Sequence, residues 1–152
     1  LMVNEVIDDV LLVFDKTIHD FSVHVKCDYA YLPKIKVSYY VVSQIISAVL
    51  LNSIEASRKN GEVYIRTFFC LPVKNKRASI GVKILDYGEG IAEDIIGRVF
   101  NPFFSTKTNH LGLGLTQVLG LVSKRGYSID FQSEKDKQTE FSLFLPVESD
   151  GC

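Results

Sequence analysis

The sequence predicts a two-layer α+β sandwich, one sheet with helices on one face, and three patterns carry that expectation. Apolar residues recur at helical spacing near the start, through the middle and after a glycine-rich stretch. Between these segments lie two pairs of strand-like runs, each pair joined by a polar turn. No internal repeat, low-complexity tract or linker interrupts them, so the 152 residues, 47% hydrophobic and 11% aromatic, suit a single domain (1–152) with one buried core.

The elements follow in order. In "VNEVIDDVLLVFDKTI" the residues Val3, Val6, Ile7, Val10, Leu11, Phe14 and Ile18 form one apolar face, which predicts an amphipathic helix within residues 1–20. Acidic residues interrupt this segment, unlike a signal peptide, and its start reads as cut out of something longer. "FSVHVKC" alternates, placing Phe21, Val23, Val25 and Cys27 on one face of a strand. Pro33 ends that pattern before a short "KIKV" segment. From Ser38, a fitting N-cap, "YYVVSQIISAVLLNSIEASRKNG" predicts a largely buried helix running to Gly61. Its apolar core falls short of the roughly 20 residues of a membrane span. "EVYIRTFFCL" and "ASIGVKILD" predict an antiparallel hairpin. "LGLTQVLGLVSKRG" predicts a helix with a basic C-terminus stopped by Gly126, and "YSIDFQS" with "TEFSLFLP" a second hairpin around "EKDKQ".

Lys plus Arg number 17 against 18 for Asp plus Glu, so no strong field invites nucleic acid or an acidic membrane, and a compact ligand is expected. Cys27, Cys70 and Cys152 are scattered without metal-ligand spacing, which points to a reducing, cytoplasmic compartment and structural or incidental thiols.

Chemistry concentrates in three places. In "LDYGEG", Asp86 ends an apolar strand, and Gly88 and Gly90 permit a tight turn whose backbone approaches a ligand closely. An ionised carboxylate only accepts hydrogen bonds, so Asp86 suits the exocyclic amine of adenine; an ordinary strand-to-helix turn is the other reading. In "HLGLGL", Gly112 and Gly114 sit where a loop enters a helix, whose free N–H groups suit phosphates, or simply form a turn. Asn52 lies within the apolar helix, where a buried amide needs a partner: its oxygen suits Mg²⁺, or a structural hydrogen bond. Glu55, one turn on, either holds a metal-bound water or reaches solvent. Between these, Phe100, Phe103 and Phe104 anchor a polar flap over 105–111 that includes Lys107, while Arg98 also fits a surface ion pair.

The ordered segments "QIISAVLLNSIEAS", "DYGEGI", "FNPFFSTK" and "GLGLT" resemble the N, G1, F and G2 boxes of the ATP-binding catalytic domain of sensor histidine kinases, within the ATPase superfamily shared with gyrase, MutL and the heat-shock chaperones. The resemblance covers essentially the whole chain, and "PFFSTK" with its short lid is similar to the nitrogen-regulation type. It implies a mixed, mostly antiparallel sheet, with nucleotide held between the helical layer and the lid. It makes Asn52 the Mg²⁺ ligand and Asp86 the adenine reader, with Gly88 and Gly90 shaping the base pocket. Gly112, Leu113, Gly114, Leu115 and Thr116 would line the phosphates, with Ser105, Thr106 and Lys107 in the lid. ATP and Mg²⁺ are the implied cofactors. The implied reaction donates the γ-phosphoryl group to a histidine, and in this family the phosphorylated histidine sits on a dimerisation hairpin missing from this chain. The implied partners are that hairpin of the same protein and a response-regulator receiver domain, with a homodimeric full-length protein, either free or membrane-anchored, and a monomeric isolated domain.

Four positions depart from the pattern: Ala48 replaces the first N-box asparagine, Ser53 stands where alanine is usual, and His110 and Leu111 replace a glycine and a small residue at the lid hinge. Ala48 offers no base for water activation, which argues against a gyrase-like ATPase. Together with the bulky hinge it motivates a second reading, a regulatory module of the same fold without kinase activity. His19 in "TIHDFSV" lacks the proline and second helix of a phospho-acceptor and is expected to be a surface residue.

Overall fold

The computed structural model describes residues 1–71, 77–88, 112–135 and 137–147, excluding the side chains of 112–117 and 119. Within these residues four helices, α1 (Val3–Val13), α2 (Asp15–Asp20), α3 (Tyr39–Ala56) and α4 (Gly112–Arg125), cover a five-stranded sheet. Its strands are β1 (His24–Asp28), β2 (Glu62–Cys70), β3 (Ser79–Asp86), β4 (Ser128–Glu134) and β5 (Gln138–Pro146). The sheet order is β1-β2-β3-β5-β4, with β1 parallel to β2 and the remaining pairs antiparallel. This is the expected α+β sandwich with a mixed, mostly antiparallel sheet. The parallel pair follows from connectivity, because a strand returning through α3 has crossed over rather than turned back.

Alternation along the strands divides the sheet faces. Val63 and Ile65 on β2, Ile80, Val82 and Ile84 on β3, and Phe141, Leu143 and Leu145 on β5 are buried beneath the helices. From above, α1 contributes Val3, Val6, Ile7 and Val10, α3 contributes Val41, Val42, Ile45, Ile46, Val49, Leu50 and Ile54, and α4 contributes Val118 and Val122. By length and composition α3 also passes as a membrane-crossing helix, but here it forms the middle of the core.

Three sequence expectations need correction. The N-terminal helix is two segments meeting at the non-helical Phe14 (φ −91°, ψ 6°), although Phe14 and Ile18 still reach the core. Strand β1 begins at His24 and leaves Phe21 outside it; Cys27 is exposed because an edge strand has only partial cover. Helix α3 starts as read, with the Ser38 hydroxyl accepting from Val41 N–H at 3.2 Å, but stops at Ala56 rather than near Gly61. Ser57 turns extended (ψ 148°) and its hydroxyl donates to the Ser53 carbonyl at 2.7 Å, satisfying a carbonyl at the helix end. The following "RKN" residues have no apolar side to hold them to the core, and Asn60 enters the left-handed region at φ 65°. Helix α4 ends as expected: Gly126 sits at φ 70° and the Tyr127 N–H donates to the Val122 carbonyl at 3.0 Å, closing a Schellman turn.

A partly buried polar link ties α1 to the sheet. Thr67 Oγ1 accepts from the Ala30 N–H (2.9 Å) and donates to Asn4 Oδ1 (3.0 Å), while Asn4 Nδ2 donates to the Ala30 carbonyl (2.9 Å). Thr67→Val keeps the shape but strands a donor and an acceptor. It is expected to cost about 2 kcal/mol, read as a lower midpoint with unchanged slope in urea unfolding. Although Cys27 is solvent-exposed, partial desolvation of its thiol raises the pKa and disfavours the thiolate.

Candidate functional site

The helix-facing side of the sheet changes character at one end. Cross-strand register places Phe131 opposite Phe141 and Phe141 opposite Ile84, an apolar row; one step along, Ser133 lies opposite Thr139 and Thr139 opposite Asp86. Asp86 and Thr139 are 0% and 2% exposed. A carboxylate is costly to bury in a core, so this polar row marks where the sheet stops serving packing alone. The Ser133 and Thr139 hydroxyls lie 2.8 Å apart, and the Asp86 Oδ1 accepts from the Gly88 N–H at 3.0 Å.

Helix α3 keeps step with β3 above this row. Ile45, Ile46 and Val49 share a small apolar cavity with Val82 and Ile84, and further along Gly88 abuts Ala56. A Cβ on Gly88 would overlap the Ala56 carbonyl oxygen and lie 2.9 Å from Asp86 Oδ1. The glycine that the sequence reading assigned to a tight turn is therefore also the seat of that turn on the end of α3.

Asn52, one turn before Ala56, is half-buried rather than sealed in the core. Glu55 and Ala48 are likewise half-buried, Ala48 resting against the core. Helix α4 begins at Gly112, as the "GLGL" spacing implied. Its C-terminal Arg125, Gly126 and Tyr127 line a cleft with Lys36, Val37 and Ser38 at the start of α3. The two packed helices are therefore antiparallel, and the backbone of Gly112, Leu113, Gly114, Leu115 and Thr116 lies toward the α3 end that carries Asn52 and Ala56. One pole of the domain thus gathers a buried carboxylate, a half-buried asparagine and a helix start. Gly90, Arg98, Phe100, Phe103, Phe104, Ser105, Thr106, Lys107, His110 and Leu111 lie outside the described residues. His19, as expected, is exposed.

Sequence reasoning missed Thr139. Its only signal was a threonine opening the last strand, and its place became visible through register with Asp86.

A family model described as "Histidine kinase-, DNA gyrase B-, and HSP90-like ATPase" matches residues 40–149, and the chain belongs to that family. Within it the chain is of the ATP-binding catalytic domain type found in sensor histidine kinases. It is 31% identical over 116 residues to sensor histidine kinase ZraS of Escherichia coli (strain K12), covering 76% of this chain and 24% of ZraS. It is 32% identical over 113 residues to sensory histidine kinase/phosphatase NtrB of Rhodobacter capsulatus, covering 70% of this chain and 32% of NtrB. The chain thus spans about a quarter to a third of the length of these curated relatives. The catalytic domain of histidine kinase ThkA superposes with TM-score 0.79 at 23% identity, covering 95% of this chain and 91% of that one. ThkA in complex with response regulator protein TrrA gives TM-score 0.80 at 20% identity, covering 97% and 41%.

Proposed function

We propose that this domain binds Mg-ATP and donates its γ-phosphoryl group to a histidine on a dimerisation hairpin outside the chain, as one step of two-component signalling. The observation that most supports this reading is Asp86, a fully buried carboxylate facing the helices at the end of β3. A residue in that position suits a ligand with a hydrogen-bond donor to offer, and the Gly88 turn, too close to α3 for any side chain, leaves backbone at the rim.

The residues present fit the expected cofactors. Asp86 accepts from the adenine amine and so favours adenine over guanine, with its carboxylate aimed by the Gly88 N–H. The same reading assigns Gly90 to the base pocket. Asn52 offers a neutral hard oxygen suited to Mg²⁺, with Glu55 one turn away for a metal-bound water. The α4 start, Gly112 to Thr116, would turn its first-turn N–H groups and the positive end of the helix to phosphate, and the same reading assigns Ser105, Thr106 and Lys107 to the lid. Magnesium, when bound, supplies charge neutralisation for the triphosphate. The chain's own task is positioning, because phosphoryl transfer to an incoming histidine requires no nucleophile from this domain.

The corresponding partners are the histidine hairpin of the same protein and a response-regulator receiver domain, in a homodimeric parent whose catalytic domain lies in the cytoplasm and is monomeric when isolated. Incubating the chain with Mg²⁺, γ-labelled ATP and a separately produced hairpin domain is expected to yield acid-labile, base-stable label on the hairpin. Absence of both ATP binding and transfer would instead support the regulatory reading that Ala48, His110 and Leu111 motivate.

A further inference from the structure

We infer that Ser53 is a second polar reader of the base pocket, its hydroxyl completing the recognition of the purine beside Asp86; this rests on the nucleotide reading above. Ser53 is 0% exposed, and its Oγ has no hydrogen-bond partner among the described residues. A hydroxyl in the middle of a helix ordinarily bonds back to the carbonyl four residues earlier. This one does not, and a buried hydroxyl left unmet costs about 1–3 kcal/mol. Alanine would remove that cost without disturbing the helix.

The α3–β3 seam shows where the hydroxyl lies. Val49 shares its cavity with Ile84, and Ala56 meets Gly88. Ser53 lies one turn after Val49 and one turn before Ala56, while Asp86 lies two residues after Ile84 and two before Gly88. The seven residues of helix from Val49 to Ala56 rise about 10.5 Å and the four residues of strand and turn from Ile84 to Gly88 about 13 Å, so the two elements advance nearly together. Between two matched contacts, Ser53 comes opposite Asp86, over the row that also holds Thr139. A carboxylate only accepts hydrogen bonds, whereas a hydroxyl both donates and accepts. Ser53 therefore adds a donor for a ring nitrogen of the purine, directly or through one water, which Asp86 cannot supply.

The test is Ser53→Ala in the full chain, with binding of Mg-ATP and Mg-ADP measured by calorimetry and thermal unfolding measured without nucleotide. The expected result is about a tenfold loss of affinity, equal for ATP and ADP because they share the base and undiminished when EDTA removes magnesium. The nucleotide-free midpoint should stay the same or rise. Unchanged affinity alongside a raised midpoint would overturn the inference, leaving the hydroxyl an unmet group of the core. So would a loss that disappears in EDTA, since it would then act through neighbouring Asn52. The Asp86→Asn variant separates the two levels: if it loses ATP while Ser53→Ala does not, the nucleotide reading stands and the role of Ser53 falls. A native chain that fails to bind ATP overturns both.

Discussion

Asp86→Asn is expected to weaken ATP binding at least about a hundredfold while leaving the fold in place. The asparagine oxygen can keep the 3.0 Å bond from the Gly88 N–H, so the turn retains its local support. What changes is the second position of the side chain, where an N–H₂ replaces an acceptor and faces the adenine amine donor to donor. Losing a charge-assisted hydrogen bond costs about 1.5–3 kcal/mol and burying an unmatched donor about 1–3 kcal/mol. Their sum, about 2.5–6 kcal/mol, begins near the roughly 2.8 kcal/mol that a hundredfold represents. Thermal unfolding of the free variant should stay close to the native midpoint or rise, because a neutral amide is easier to bury than a carboxylate. Calorimetric titration giving native affinity would remove Asp86 from the site.

Gly88→Ala should damage both stability and binding. The added methyl would overlap the Ala56 carbonyl, a backbone atom that cannot rotate away, so either the turn or the end of α3 must shift. Overpacking of this kind costs about 3 kcal/mol, or roughly 6–12 °C in midpoint for a chain of this size. The shift also moves Asp86, whose Oδ1 is held by that same residue, so ATP affinity should fall at least about tenfold. Gly126→Ala makes the contrast. That position is strained for a side chain at φ 70° but has open space around it, so about 1 kcal/mol should be lost with nucleotide binding intact. Equal effects at the two glycines would mean that α3 does not seat the turn.

These variants divide what the sequence could disclose from what it could not. Asp86 and Gly88 were legible because their chemistry is local: a carboxylate closing an apolar strand, followed by glycine, announces a backbone-lined turn. The starts of α3 and α4 were legible for the same reason, from a capping serine and a glycine-leucine alternation. Thr139 was not, because it joins Asp86 only through antiparallel pairing of strands more than fifty residues apart. Ser53 was noted as a departure, yet its burial and the missing partner of its hydroxyl arise from packing across the α3–β3 seam. The end of α3 was misplaced because Gly61 resembles a stop signal, whereas Ser57 and the loss of an apolar face end the helix five residues sooner, at Ala56. From the residues alone, the parallel alignment of β1 with β2 was equally hidden, since nothing within either strand records the crossover.

The order of the sheet also bears on handling the protein. Its two outermost strands, β1 and β4, present His24, Lys26 and Asp28 on one rim and Asp130, Gln132 and Glu134 on the other, all solvent-exposed. A neighbouring molecule extending the ladder from either rim would have to strip water from these groups, and copies of the β4 rim would set carboxylates against one another. Edge-to-edge aggregation is thereby disfavoured, which suits the high protein concentrations that calorimetry demands.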